Sequence, residues 1–185
     1  MIITRPNHDF ATKYLFHWSQ FVIDAAKKHR IPVIDLKGKL ANRKELTKSI
    51  RKTSPDFIFI NGHGDDGLVA GYNNRILVEV GDNERIFSGA IVFSRSCRSA
   101  AKLGKSCVKK GTRAYIGYTD DFIFYSDEAA KFLEPSNLIA TSLLNGNTAN
   151  QADQKSKDAY AKIIKKLKTT RVPAKDRELI PYLQW

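Results

Sequence analysis

Apolar residues in this chain fall into short continuous runs separated by stretches of helical period. Ile2-Ile3-Thr4, Pro32-Val33-Ile34-Asp35-Leu36, Asp56-Phe57-Ile58-Phe59-Ile60, Ala90-Ile91-Val92-Phe93 and Ala114-Tyr115-Ile116-Gly117 are rich in β-branched and aromatic residues. That is the pattern of strands covered on both faces. Between them the period changes. Asp9 caps a predicted helix with Tyr14, Trp18, Phe21, Val22 and Ala25 on one face, ended by Arg30-Ile31-Pro32. Asn42 with Glu45 resembles a capping box opening a helix through Leu46 and Ile50, which must stop near Ser54-Pro55. A further helix is expected from Ala100 to Val108, with Gly111 as its stop.

One interval breaks the alternation. Leu68-Val69-Ala70-Gly71, Tyr72-Asn73-Asn74 and Arg75-Ile76-Leu77-Val78 read as a hairpin with an asparagine-rich turn. Toward the C-terminus, Phe122-Ile123-Phe124-Tyr125 is either a short strand or the wall of a crevice. Helices are then expected from about Asn137 to Leu144 and from a cap at Asn147 or Thr148, where Thr148 and Gln151 form a capping box. The apolar tail, residues 179–185, is expected to pack back as an edge strand that tolerates Pro181. Repeated βα units imply right-handed crossovers. The expected architecture is α/β, a three-layer sandwich with a mostly parallel central sheet, formed by a single domain spanning residues 1–185.

Composition narrows the partners. With 42% hydrophobic residues the chain can bury one substantial core. No apolar run is long enough to span a bilayer, and Met1 to Pro6 do not resemble a secretory leader, so a soluble cytoplasmic protein without a membrane partner is expected. Two cysteines are too few for a disulfide framework, so Cys97 and Cys107 are expected to be thiols. The net charge of +12 raises the question of nucleic acid, but residues 151–177 alone carry nine Lys or Arg against three Asp. There Tyr160, Ile163, Ile164 and Leu167 keep helical spacing, and Lys155, Lys162, Lys165, Lys166 and Lys168 fall largely off that stripe. A solvated basic helix face accounts for this without a nucleic-acid partner.

The candidate chemistry sits at two strand ends. His63 follows the third apolar run within Ile60-Asn61-Gly62-His63-Gly64, and Cys97 follows the fourth within Phe93-Ser94-Arg95-Ser96-Cys97-Arg98. If these strands are parallel neighbours, both residues emerge at the carboxyl edge where open α/β sheets bind ligands. A thiol at a strand end and helix start would gain thiolate character from the helix N-terminus and from the histidine. His63 would act as general acid/base, and the backbone N–H groups of Gly64 and Cys97 would form an oxyanion hole. Gly62 to Gly67 also matches G-x-G-x-x-G, but a hairpin rather than a helix follows, which argues against a dinucleotide. His8, His17 and His29 lie on or near the first helix without ligand spacing, and Cys97 and Cys107 are not a close pair, so no metal and no cofactor is expected.

A strand ending in His63-Gly64, a hairpin, and a strand ending in Ser96-Cys97 together resemble the caspase-like cysteine peptidases: caspases, metacaspases, legumains, gingipains and CHAT-domain peptidases. The resemblance covers roughly residues 1–130 and implies a caspase-like, Rossmann-like topology. It also implies a Cys97/His63 dyad that hydrolyses peptide bonds of a protein or peptide substrate without a cofactor. Ser99 stands where many caspases have glycine, and His63 and Cys97 are closer than the caspase gap of about 50 residues. Arg95, two residues before Cys97, would line the P1 pocket and favour an acidic P1 residue, or else turn outward or pair with Asp120, Asp121 or Asp127, acids that would equally suit a basic P1 residue. The alternative is a catalytically idle scaffold of the same fold, or a basic module that binds nucleic acid or protein.

Overall fold

The computed structural model describes residues 1–169 and 173–184. Five strands form one wholly parallel sheet: β1 (Ile2–Arg5), β2 (Ile34–Lys37), β3 (Phe57–Asn61), β7 (Ile91–Arg95) and β8 (Ala114–Gly117), in the order β2-β1-β3-β7-β8. A separate antiparallel sheet, β4 (Gly64–Asp65), β5 (Leu68–Ala70) and β6 (Ile76–Glu79), interrupts the alternation where the asparagine-rich turn predicts a hairpin. Asn73 and Asn74 take left-handed conformations in that turn, at φ 54° and 57°. The short strand β4 extends the hairpin beyond its expected two strands.

Period-two alternation sorts the sheet residues onto two faces. Ile2, Ile58, Ile60 and Val92 pack with Leu46 of α2 (Arg43–Thr53), with Val69, Leu77 and Val78 of the hairpin, and with Leu103 and Cys107. Ile3, Phe57, Phe59 and Phe93 face Val22 and Ile23 of α1 (Phe10–Lys28) and, further along the chain, Ile139, Ala140 and Ala152. These two layers around the sheet make the expected α/β sandwich. A third cluster, including Leu15, Trp18, Phe132, Tyr160 and Leu167, cements the helices on the second face to one another. No helix among the described residues is long and apolar enough to cross a membrane.

Several elements depart from expectation for identifiable reasons. In α1, Phe21 is 60% exposed, and the buried face is built instead by Leu15, Trp18, Ser19, Val22, Ile23 and Ala26. The helix after Cys97 opens with a π-helical segment, Ala100–Gly104, before the short α3 (Lys105–Lys109). The Asp66 carbonyl accepts from the N–H groups of both Lys102 and Leu103, which displaces the regular helical pattern there. Phe122 and Phe124 form no strand: they are loop residues, and Phe124 packs on Tyr14 and Trp18. Helix α4 (Ala129–Leu144) starts well before Asn137 and contains Pro135. Its first turns are held by burial of Phe132 and Ser136, a tertiary gain that overrides the proline's cost. Helix α5 (Ala149–Leu167) has the Thr148/Gln151 capping box in place. The tail is helical over Ile180–Leu183 rather than an edge strand, with Leu179 and Leu183 buried in the third cluster; Trp185 lies outside the described residues.

Arg95 is the most consequential difference. Alternation carries it with Phe93 to the α1/α4 side, and there it is completely buried. Its Nε donates to Asn61 Oδ1 (3.0 Å), Nη1 to Ser136 Oγ (3.0 Å) and Asn137 Oδ1 (2.9 Å), and Nη2 to Ser19 Oγ (3.0 Å) and the Leu15 carbonyl (3.4 Å). The guanidinium also lies over the rings of Phe59 and Trp18. Every one of its N–H groups is therefore directed at a neutral acceptor. Burial draws its pKa down to about 10, which still leaves it charged at neutral pH. A side chain enclosed in this way cannot wall a P1 pocket, so the expected acidic specificity loses its residue. Arg95→Ala, which strands several buried acceptors, should destabilise the protein by at least about 3 kcal/mol in urea unfolding. Arg95→Lys should recover only part of this, because an ammonium cannot reproduce the five-donor fork.

On the opposite face, buried Glu84 ties the segment before β7 to α3. It accepts from Lys110 Nζ (2.6 Å), Ser106 Oγ (2.9 Å) and the Gly81 N–H (2.9 Å). Burial pushes this carboxyl up, but the Lys110 ammonium and the hydrogen-bond donors outweigh that and hold its pKa down at about 2, from 4.5. A depressed carboxyl contributes stability that is present above pH 4.5 and lost as pH falls toward 2. Glu84→Gln should flatten the acid limb of the stability–pH curve over that window, measured by chemical denaturation at each pH.

Candidate functional site

The parallel register pairs Asn61 with Arg95, so the segments that leave β3 and β7 begin side by side. His63 and Cys97 each follow two residues later. The approach is closer than a side chain would permit at Gly64: a Cβ there would lie 2.6 Å from the Cys97 carbonyl oxygen and 2.8 Å from Ser96 Cβ. Gly62 is equally constrained, since a Cβ would lie 2.0 Å from the Ala70 carbonyl oxygen. The glycines that bracket His63 are therefore imposed by sterics between the two loops and the hairpin.

The His63 ring is half-exposed, and its Nε2 lies 2.7 Å from Asp9 Oδ2. Asp9 is the N-cap of α1: its Oδ1 accepts from the Thr12 N–H and hydroxyl, both at 2.8 Å, which leaves Oδ2 for the histidine. Burial pushes the Asp9 carboxyl up, but the Thr12 N–H, the His63 ring and the Thr12 hydroxyl prevail and hold it at about 2. An ionised carboxylate only accepts, so the proton of a neutral His63 ring sits on Nε2 and the Nδ1 lone pair is free. Sequence reading assigns Asp9 only to capping. Its second role has no local signal, because the partner lies across the fold.

Cys97 is partly buried, and its thiol faces the Phe122 carbonyl at 3.8 Å, not a nitrogen of His63. Among the described residues no hydrogen bond joins His63 to Cys97. Burial raises the thiol pKa, the Phe122 contact and Arg98 oppose this, and Asp121 adds to it, with a net upward shift. The expected activation by a helix N-terminus is absent because those N–H groups are already engaged. Ala100 donates to the Tyr118 carbonyl, Ala101 to that of Arg98, and Lys102 and Leu103 to that of Asp66. Arg98 takes a left-handed conformation at φ 50°, unfavourable for a residue with a side chain. It is held there by its N–H on the Asp120 carbonyl (3.0 Å) and by its guanidinium on Asp121 (3.0 Å) and Asp65 (3.6 Å).

The two proposed oxyanion donors are adjacent. The Ala70 N–H donates to the His63 carbonyl (2.8 Å), which makes Gly64 and Val69 a pair without mutual hydrogen bonds and leaves the Gly64 N–H outside the hairpin ladder. The Cys97 N–H donates to no backbone carbonyl among the described residues. A cavity of about 190 Å³, lined by Asp120, Asp121, Phe122 and Tyr182 among others, adjoins the loop that faces the thiol. A larger one, about 610 Å³, lies against α2 and is lined by Lys39, Arg43, Lys44, Arg75 and Tyr72 with their neighbours. His17 and His29 stand apart from both loops, whereas His8 joins the site beside Asp9. No protein-family model matches the chain, and no curated protein matches it significantly.

Cys107 is fully buried against the sheet, and burial pushes its thiol up to about 12. Iodoacetamide at neutral pH should therefore modify Cys97 slowly, at a rate that climbs with pH, and leave Cys107 unmodified in the native protein. Mass spectrometry of the alkylated peptides checks both outcomes, and rapid labelling of Cys107 would contradict the packing described.

Proposed function

We propose that this chain is a cysteine peptidase of caspase-like architecture, working in the cytoplasm on a protein or peptide substrate. The observation that carries the reading is the approach of the His63-Gly64 loop to the Ser96-Cys97 loop at the carboxyl ends of adjacent parallel strands, with Asp9 fixing the histidine from behind. In this reading His63 Nδ1 takes the Cys97 thiol proton as Sγ attacks the scissile carbonyl carbon. The carbonyl oxygen, now an oxyanion, is held by the N–H groups of Gly64 and Cys97. Collapse expels the amine with the proton from His63 and leaves a thioester, which a water molecule hydrolyses with His63 as base. Asp9 is a positioning residue that keeps the proton on Nε2 and so presents Nδ1 as the base. The resting thiol is protonated, so deprotonation accompanies substrate binding instead of preceding it.

With Arg95 sealed in the core, the charged side chains on the segments around Cys97 include, among the described residues, Arg98 and the carboxylates Asp65, Asp120 and Asp121. Arg98 is taken up by Asp65 and Asp121, so the excess is negative. The preferred P1 residue in this reading is basic rather than acidic.

A second reading has its own support. The raised Cys97 thiol and the different partners of the thiol and of His63 suit an idle scaffold whose basic surface binds polyanions. That surface includes Arg43, Lys44, Lys48, Arg51 and Lys52 of α2, which line a cavity of about 830 Å³. A fluorogenic panel varied at P1 separates the readings. The peptidase reading expects cleavage after Lys or Arg, lost by about 10³-fold in Cys97→Ala and His63→Ala. It expects a decrease of roughly 10–100-fold in Asp9→Asn, with an altered pH profile. No turnover on any peptide, with salt-dependent retention on a polyanion, would establish the scaffold instead.

A further inference from the structure

His8, Asp9 and His63 present three potential ligand atoms that all lie within 4.8 Å of one another. The two imidazoles come from positions 55 apart in the chain and converge on one carboxylate oxygen: Asp9 Oδ2 lies 2.7 Å from His63 Nε2 and 3.2 Å from His8 Nε2. We propose that this cluster is a binding site for a divalent transition metal ion, with Zn²⁺ as the best match, ligated by His8 Nε2, Asp9 Oδ2 and His63 Nε2.

The donor set selects the metal class. Two imidazole nitrogens with one carboxylate oxygen suit Zn²⁺ and its neighbours, whereas Mg²⁺ and Ca²⁺ need oxygen ligands. Bonds of about 2.0–2.1 Å in a tetrahedral site place ligand atoms roughly 3.3 Å apart. The His8–Asp9 separation already meets this, and the His63–Asp9 separation needs to open by only about half an ångström. With three protein ligands, the fourth position is left to water.

The ligands are also held in place before any ion arrives. Asp9 is anchored through its other oxygen by the Thr12 cap, so Oδ2 can turn to an ion without loss of the helix start. His8 is fixed edge-on to Tyr72, with ring centroids 5.4 Å apart, and its Nε2 lies 3.1 Å from Asn74 Oδ1. Its side chain is only 9% exposed, and its Nδ1 is buried without a hydrogen-bond partner. On binding, Nε2 of each ring gives up its proton to become a ligand and the remaining ring proton sits on Nδ1, so a neutral His63 changes tautomer and the ion replaces the shared hydrogen bonds to Asp9. Ion binding depends on these three side chains alone. Only the corollary, that an ion here takes His63 and Asp9 out of the hydrolytic role, rests on the peptidase reading.

The test is titration of the full chain with Co²⁺ and Zn²⁺, followed by visible absorption of Co²⁺, by competition with a chromophoric chelator and by NMR of the four histidines. The expected result is one ion per chain, with the His8 and His63 ring signals shifting together while His17 and His29 stay put, and no response to Mg²⁺ or Ca²⁺. Cys97→Ala should bind as the wild type does, which separates this site from a thiolate site and from catalysis. His8→Ala and Asp9→Asn, the latter retaining a good helix cap, should each weaken binding by roughly tenfold or more. Absence of stoichiometric binding, undiminished affinity in His8→Ala, or loss of binding in Cys97→Ala would each overturn the assignment.

Discussion

Burial of one unpaired guanidinium organises this molecule. Arg95 brings a positive charge into the core with no carboxylate in contact among the described residues, and it is tolerated because five neutral acceptors and two aromatic faces meet its donors and its plane. Those partners belong to β3, α1 and α4, so the requirement to satisfy one side chain fixes the relation of three elements to β7. Asn61 extends the network. It accepts from Arg95, donates through Nδ2 to the Thr4 carbonyl (2.9 Å) and exchanges backbone hydrogen bonds with the Thr4 hydroxyl. The carboxyl ends of β1, β3 and β7 are thereby linked by polar groups that cannot be exchanged for water.

That linkage lies directly beneath the candidate site. Asn61 and Arg95 are each two residues before His63 and Cys97, and clamping them sets the starting points of both loops. Above the clamp, Gly62 and Gly64 let the loops close on each other and on the hairpin to distances no Cβ would allow. The N-terminus of α1 then reaches the site through Asp9, which completes its own helix with one oxygen and holds His63 with the other. In the proposed peptidase reading, this rigid scaffold, these close-packed loops and this oriented imidazole would preorganise the pair.

The electrostatics around Cys97 are less one-sided. Desolvation and Asp121 favour the protonated thiol, and the N–H groups that begin the following helix are spent on backbone carbonyls. In the proposed peptidase reading, activation would therefore have to come from His63 once a substrate displaced the thiol from the Phe122 carbonyl. The same histidine is the group an ion at His8 and Asp9 would take, so the proposed catalysis and the proposed metal binding would compete for it.

Local pattern alone determines much of this architecture. Continuous apolar runs identify all five strands of the parallel sheet, the asparagine pair locates the hairpin turn, and Asn42 and Thr148 mark helix starts, because each signal lies within a few residues of its effect. The strand-end positions of His63 and Cys97 are legible for the same reason. Tertiary structure alone decides what those residues touch. Alternation correctly sends Arg95 to one face, but only the packing of α1 and α4 over that face seals it from solvent. The early start of α4 through Pro135 and the helical tail likewise follow from burial against distant elements, which no local window registers. His8 and Asp9 read as a helix entrance. They join His63 because parallel pairing of β1 with β3 brings their carboxyl ends together, and pairing across so long a span leaves no periodic trace in the chain.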